Sequence, residues 1–383
     1  VLKGAISNKG GAPLLRKGLV VFQFVLSMIL ISGTLVIYRQ LAYMQEKDLG
    51  LNKEGLIMQY VEGKANSKYQ TLKTTLLDHP AIQDISSSNE NPLEIGNSTF
   101  SVSWEGKDPS REIIFHAIMA DYNFIETMGI EMVAGRTPSP EFGTDTAAYV
   151  INEAAARVMG FEDPVGQIIT VWGDEGPVVG VMGDFHIASL YQAIDPVVFK
   201  MSPEGEWILF VRPTPGKTRE ALAHMESVYS EMNPAFPFEY RFLDERYAEM
   251  YESEETLSSL ANVFAMVAIF ISCLGLLGLA AYTAERRTRE IGIRKVLGAS
   301  VSEIMVLLSR DFTLLVLLAS IIALPLSLWA ANQWLETFEF TASIPWWIYA
   351  LAGFTGLGIA WLTVSYQALR AARANPIEAL KDE

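Results

Sequence analysis

Cysteine is almost missing from this 383-residue chain: one residue, Cys273, lies inside an apolar run. That excludes an intramolecular disulfide and any metal site built on cysteine. Histidine is scarce as well, with four residues at positions 79, 116, 186 and 224, too scattered in sequence to form a ligand cluster. Charge is thin: 19% of residues are Asp, Glu, Lys or Arg, against 50% apolar. A disordered chain is excluded by that balance, and a wholly soluble one is improbable. Basic residues are the rarer sign, 29 against 44 acidic, a net charge of −15. The deficit is local, because residues 38–256 hold 16 Lys+Arg against 35 Asp+Glu while the remainder is net positive. So acidic a block repels phosphate, and nucleic acid is not an expected partner.

Catalytic signatures are missing too. No G-x-S-x-G, H-E-x-x-H or paired-carboxylate motif is present. Gly216-Lys217-Thr218 matches only the end of a phosphate loop: position 211 is Val, and Pro213 and Pro215 remove backbone N–H groups that would cradle phosphate. A turn is expected there. Asp184-Phe185-His186 could offer two metal ligands, but a zinc site needs three or four, so a turn after a strand over Val178–Met182 is the expectation. The chain is not expected to be an enzyme, and no catalytic residue, cofactor or metal ligand is assigned.

What the sequence does have is four long apolar runs. Leu19 to Ile37 carries no formal charge over 19 residues, close to the length that crosses a bilayer core. The expected order is an inner segment 1–18, a first span 19–37, an acidic segment 38–256, a second span 257–283, a connection 284–300, a third span 301–329, a loop 330–343, a fourth span 344–366 and a tail 367–383. Lys and Arg near span ends stay on the cytoplasmic side. Arg16 and Lys17 precede the first span, Arg286 to Lys295 fill the 284–300 connection, and the 330–343 loop has no Lys or Arg. The termini and the 284–300 connection are therefore expected inside, with 38–256 and 330–343 outside. Tyr38, Trp329, Trp334, Trp346 and Trp347 fall at the outer ends, as an aromatic belt would.

The fold class expected is thus a membrane protein with four transmembrane α-helices and a large extracytoplasmic mixed α+β domain on long helical stalks. One stalk would continue the first span to about Asp48, with Gly50 as its stop. The other would run unbroken from Asp244 to Tyr282, about 58 Å at 1.5 Å per residue. Between them, strands are expected at Leu56–Tyr60, Ser101–Trp104, Ile113–Met119, Ala148–Ile151, Gln167–Trp172, Val178–Met182 and Trp207–Val211. Helices are expected at Ser67–Asp78, Asp121–Met128, Asn152–Met159 and Thr218–Asn233, with Asn152 as an N-cap and Gly160 as a stop.

The connection between the second and third spans is the most informative stretch. Glu285, Arg286, Arg287, Thr288, Arg289, Glu290, Ile291, Gly292, Ile293, Arg294, Lys295, Val296, Leu297, Gly298, Ala299 and Ser300 follow one another. Ile293, Val296 and Leu297 share one face of a short helix that ends at Gly298, and Ser300 with Glu303 forms a capping box for the next helix. By itself this could be a basic helix holding anionic lipid. The run resembles the signature of ABC transporter permeases of the MacB/FtsX type, where it forms the coupling helix. Ala374-Asn375-Pro376-Ile377-Glu378-Ala379-Leu380 is similar to that family's end, and Tyr149 to Ala155 to its periplasmic core domain.

The resemblance implies a non-catalytic permease in the bacterial inner (cytoplasmic) membrane, crossing it several times. ATP would be hydrolysed in a partner chain, a cytoplasmic ABC ATPase dimer. A second permease module, covalent or homodimeric, is implied, and the opening Val1-Leu2-Lys3-Gly4 is similar to the junction inside tandem permeases. The lipid bilayer and a periplasmic adaptor or hydrolase complete the expected partners. In the coupling role, Glu285, Arg286, Arg287, Arg289, Glu290, Ile291, Gly292, Ile293, Arg294, Lys295, Gly298, Ala299 and Ser300 would meet the ATPase. Glu285 and Glu290 could instead pair with Arg289 and Arg294 at four-residue spacing. The work would be efflux or the handling of lipoproteins or peptides. An FtsX-like regulator of a cell-wall enzyme and a receptor for a cationic ligand stay open beside it.

Overall fold

The structure is a computed structural model that describes residues 11–187 and 191–373. The chain opens with helix α1 (Gly11–Glu46), followed by β1 (Ile57–Tyr60), α2 (Gly63–Ser67), α3 (Tyr69–Leu77), β2 (Ile82–Ser88), β3 (Ser98–Thr99) and β4 (Val102–Trp104). Next come β5 (Phe115–Ala120), α4 (Phe124–Met128), β6 (Met132–Gly135), β7 (Tyr149–Asn152), α5 (Glu153–Met159), β8 (Ile168–Val171) and β9 (Asp174–Met182). β10 (Val197–Met201), β11 (Ile208–Pro213), α6 (Thr218–Met232), β12 (Arg241–Phe242) and α7 (Leu243–Glu249) follow. Last are α8 (Glu252–Arg286), α9 (Thr288–Val296), α10 (Val301–Leu335) and α11 (Trp347–Arg373). Two compact units result, a sheet unit over Gln45–Glu252 and a helical unit formed by Val1–Met44 and Ser253–Glu383.

In the sheet unit, one mixed sheet runs in the order β12-β1-β11-β2-β5-β10-β7-β9-β8-β4, with β3 on β5 and β6 on β9. β5 with β10 and β7 with β9 are parallel pairs; the other pairs are antiparallel. Two cores flank it. At one end α3 and α6 bury Tyr69, Leu72, Leu76, Ala221, Met225 and Tyr229 against Ile57, Ile85, Leu209 and Val211. Toward the other end α5 places Ala155 and Met159 over Tyr149, Ile151, Val178 and Val198. Each fully buried aliphatic side chain contributes about 1.5–3 kcal/mol.

Local chemistry sets several boundaries where the sequence predicts them. Asn152 is fully buried, and its side-chain oxygen accepts the N–H of Ala155 at 2.9 Å and that of Val197 at 2.9 Å, so one residue caps α5 and ties it to β10. Gly160 stops α5 in the left-handed region at φ 73°. Gly216, at φ 78°, lies in a turn in which the N–H of Lys217 donates to the carbonyl of Thr214, so the phosphate-loop fragment is a turn before α6.

Other elements differ from expectation. β2, β3, β6, β10 and β12 are strands that the sequence reading leaves as loop. The first long helix ends at Glu46 instead of Asp48, and Gly50, at φ 76°, belongs to the following turn, where its N–H donates to Asp48. The expected 244–282 rod is interrupted, since α7 stops at Glu249 and α8 starts at Glu252. The Tyr251 ring is buried edge-on against Tyr247 at 5.2 Å, and the N–H groups of Met250 and Tyr251 donate three residues back, to Tyr247 and Ala248.

The helical unit holds four helices long and apolar enough to cross a membrane: Leu15–Glu46, Glu252–Arg286, Ser302–Leu335 and Trp347–Gln367. Phe24 and Met28 of α1, Leu276 and Ala280 of α8, Phe312, Val316 and Ala319 of α10, and Ala360 and Val364 of α11 form its centre. The outside is as apolar as the inside, with Phe270 65%, Ile321 70% and Leu362 75% exposed, which is the surface of a membrane bundle and not of a soluble one. Small residues permit close approach. A Cβ added at Gly356 would meet Met28 Cε at 2.5 Å, and one at Gly275 would meet Gln23 Oε1 at 2.5 Å. Two hydroxyls inside pair with one another: those of Ser27 and Ser272 lie 3.0 Å apart. Gln40, fully buried, donates to the carbonyl of Phe340 at 2.9 Å and accepts from the N–H of Ala342 at 2.7 Å. α10 contains Pro325.

Candidate functional site

The candidate surface is α9 with the turns at its two ends. α8 continues through Arg286, so Glu285 and Arg286 belong to the preceding helix, and the short helix itself is Thr288–Val296 instead of the whole 284–300 stretch. The chain turns at Arg287, whose N–H donates to Thr283 and Ala284. α9 ends in a left-handed glycine: Gly298 has φ 92°, and the N–H of Ala299 reaches back to the carbonyl of Arg294 at 2.9 Å, a Schellman closure. Ser300 then opens α10 by accepting the N–H of Glu303, while the Glu303 carboxylate accepts the N–H of Ser300 at 2.9 Å. Two stops and a cap within a few residues fix the direction of α9.

One apolar residue seats it. Ile291 is 6% exposed and packs on Ile304 and Leu308 of α10. Gly292 is buried beside it. Ile293 and Leu297, expected to share one face of this helix, are 53% and 81% exposed. They stand four residues apart, a little over one turn, and so share one side of the helix. Beside Leu297 lies an open cleft of about 600 Å³ lined by Arg294, Leu297, Gly298, Ala299, Glu303 and Ile304.

The charges divide into held and presented ones. Arg287 bonds the Asp311 carboxylate of α10 at 3.0 Å, which orients it along the bundle. Arg294 meets Glu290 at 2.8 Å one helical turn away, the intrahelical pairing anticipated from spacing, with both side chains about half exposed. Arg286 lies over the Tyr282 ring at 5.4 Å. The side chains of Arg289 and Lys295 lie outside the described residues, as does the 374–380 tail. Asp311, Ile304 and Leu308 are the positions that the sequence reading missed. The signal for Asp311 was there, because a carboxylate in an apolar helix needs a cation partner.

The other candidates resolve as structure. Asp184 accepts the N–H of Ala154 at 2.8 Å and pairs with Arg157 at 2.6 Å, so it anchors the start of α5. Phe185 is fully buried, and the N–H of His186 donates to the carbonyl of Leu49. Burial, and after it the charge of Lys47, holds the His186 imidazole below its ordinary pKa. Among the described residues no group of three His, Cys, Asp or Glu side chains could hold a metal ion.

The surface so built sits inside a recognisable stretch of sequence. Residues 262–376 match the FtsX-like permease C-terminal family. That stretch contains α9, both its flanking turns and α10. The macrolide export ATP-binding/permease protein MacB of Nitrosomonas europaea is 23% identical over 235 residues, 58% of this chain and 35% of its own length. MacB of Rhodospirillum rubrum is 26% identical over 249 residues, 61% of this chain and 38% of its own. The chain therefore spans little more than a third of these curated relatives. Among solved structures, the periplasmic region of MacB from Actinobacillus actinomycetemcomitans aligns with 54% of this chain and 96% of its own at 12% identity, with a TM-score of 0.39. By sequence the chain resembles a MacB/FtsX-type permease, and it has the corresponding fold class of four membrane-length helices and a mixed α+β domain.

Proposed function

We propose that the chain is the permease part of an ABC transporter of the MacB/FtsX type, and that α9 receives the motion of an ATPase carried on another chain. The geometry of α9 carries this reading. Ile291 anchors the helix to α10, while Ile293, Leu297 and the Arg294 side chain face outward beside an open cleft. A helix that only closed a loop would bury its apolar residues; one that docks a partner presents them, rimmed by charge. The Arg287–Asp311 pair and the Ile291 seat would make α9 and α10 move together, so a push on the first shifts the second.

With Lys and Arg marking the cytoplasmic side, α9 faces the cytoplasm and the acidic sheet unit lies outside. The motion is then passed along α8, about 52 Å for its 35 residues at 1.5 Å each. Its use is efflux or the handling of lipoproteins or peptides, and a second permease module would occupy the other docking site of an ATPase dimer. The test is charge reversal at Arg294 and Lys295 to Glu, read as ATP hydrolysis recovered with the tagged chain from membranes. Loss of that activity with an unchanged unfolding transition of the sheet unit is the expected result. Full recovery of activity with the reversed helix would sink the docking role.

A further inference from the structure

A second feature of the helical unit lies between α1 and α8 and not on α9. α1 and α8 leave between them a slot of about 280 Å³, lined by Leu19, Val20, Gln23, Leu274, Gly275, Gly278 and Leu279, with Arg16 and Tyr282 at one end. The walls are apolar apart from the Gln23 amide. Its floor is glycine: nothing lies within 4 Å of a Cβ built at Gly278, so the absence of a side chain there leaves the space open.

Two cations stand near the Tyr282 ring, Arg16 lining the slot itself and Arg286 one turn further along α8. The Arg16 guanidinium of α1 lies 4.7 Å from the centroid of the Tyr282 ring, and that of Arg286, from α8, lies 5.4 Å from it. Among the described residues neither guanidinium has a carboxylate partner. Two like charges drawn to one ring repel each other, and at the end of an apolar helix they stand where water thins, so the repulsion is poorly screened. An anion between them would reverse the sign of that interaction. Arginine in a pair presents parallel N–H donors to phosphate oxygens.

We infer that this slot is a binding site for one anionic phospholipid: the phosphate is held by Arg16 and Arg286 over Tyr282, and an acyl chain lies along Gly275 and Gly278. The charge at the mouth selects this occupant over a neighbouring helix, which would bring backbone and small side chains and no anion. The inference needs α1 and α8 to cross the bilayer, and it stands whether or not α9 docks an ATPase.

The experiment uses the full chain in nanodiscs of phosphatidylcholine with or without phosphatidylglycerol, followed by gentle delipidation and native mass spectrometry. The wild type should keep one phosphatidylglycerol after phosphatidylcholine has been stripped. Arg16→Gln with Arg286→Gln should lower retention about tenfold or more, as expected when two juxtamembrane cations are lost. Lys17→Gln, an exposed cation that does not lie over the ring, should change it little. Gly278→Leu fills the slot without altering charge and should also abolish retention. Melting in pure phosphatidylcholine checks that each variant is folded. Equal retention of both lipids, an equal loss on Lys17→Gln, or a Gly278→Leu variant that alters only self-association would each overturn the site.

Discussion

The two units bury polar groups by opposite rules. In the sheet unit, Asp121 is 1% exposed and keeps a full charge network: Tyr69 donates to it, and Lys73 reaches it at 2.6 Å. Arg136 and Asp145 form a two-pronged pair at 2.5 and 2.8 Å. In the helical unit the core holds hydroxyls and amides, Ser27 with Ser272 and Gln40 with the 340–342 backbone. The sheet unit can hold ions because the folded strands and loops supply fixed counter-charges. A bilayer-facing bundle does not have that many partners, so neutral groups are used in pairs.

That contrast can be broken most severely at Lys73. Lys73→Met strands a buried carboxylate and should cost about 3–5 kcal/mol of the sheet unit's stability in urea titration. Burial raises the Asp121 pKa against the opposing pull of Lys73. The native state then holds this proton more tightly than the unfolded chain, so the contribution of Asp121 is lost as pH rises from the ordinary carboxylate value to the raised one. The deficit of Lys73→Met relative to wild type should therefore shrink as pH falls through the raised Asp121 value and the carboxylate takes up its proton. A deficit independent of pH would mean that the lysine acts by packing alone.

Next comes Gln40→Leu, which leaves the Phe340 carbonyl and the Ala342 N–H without their partner and should cost about 1–3 kcal/mol, seen as a lower melting temperature in nanodiscs. Ser27→Ala should cost about 0.6 kcal/mol, the typical worth of a hydroxyl pair in a membrane bundle. A loss above about 2 kcal/mol would show that the hydroxyl pair is not the neutral, inexpensive contact described here. The smallest effect is expected at Arg294→Ala. Its pair with Glu290 is half exposed, so melting should shift by no more than about 0.5 kcal/mol, while association with the ATPase proposed to dock on α9 should fall.

The parts legible in sequence were those with a strong period or a lone breaker. The four apolar runs exceed what a soluble core can hide, and Asn152, Gly160, Gly298 and Ser300 mark helix ends by their own chemistry. β2 was hidden because Ile82–Ser88 ends in three serines that look like a loop. They are fully buried since β11 pairs along one side of the strand and β5 meets Ser88 on the other, a partner set made only by the tertiary fold. β10 reads Val-Val-Phe-Lys-Met and was lost against the irregular chain before it. At the site, the basic run was plain and its facing was not. Period alone puts Ile293 and Leu297 on an apolar face, but Ile304 and Leu308 lie where they receive Ile291. Asp311, 24 residues along the chain, captures Arg287 by a contact that no local pattern encodes.

The interruption after Glu249 is not dictated by the residue types at the break. Neither Met250 nor Tyr251 forbids helix, and Met250 already holds right-handed helical angles, while the Tyr251 ring is tucked edge-on against Tyr247.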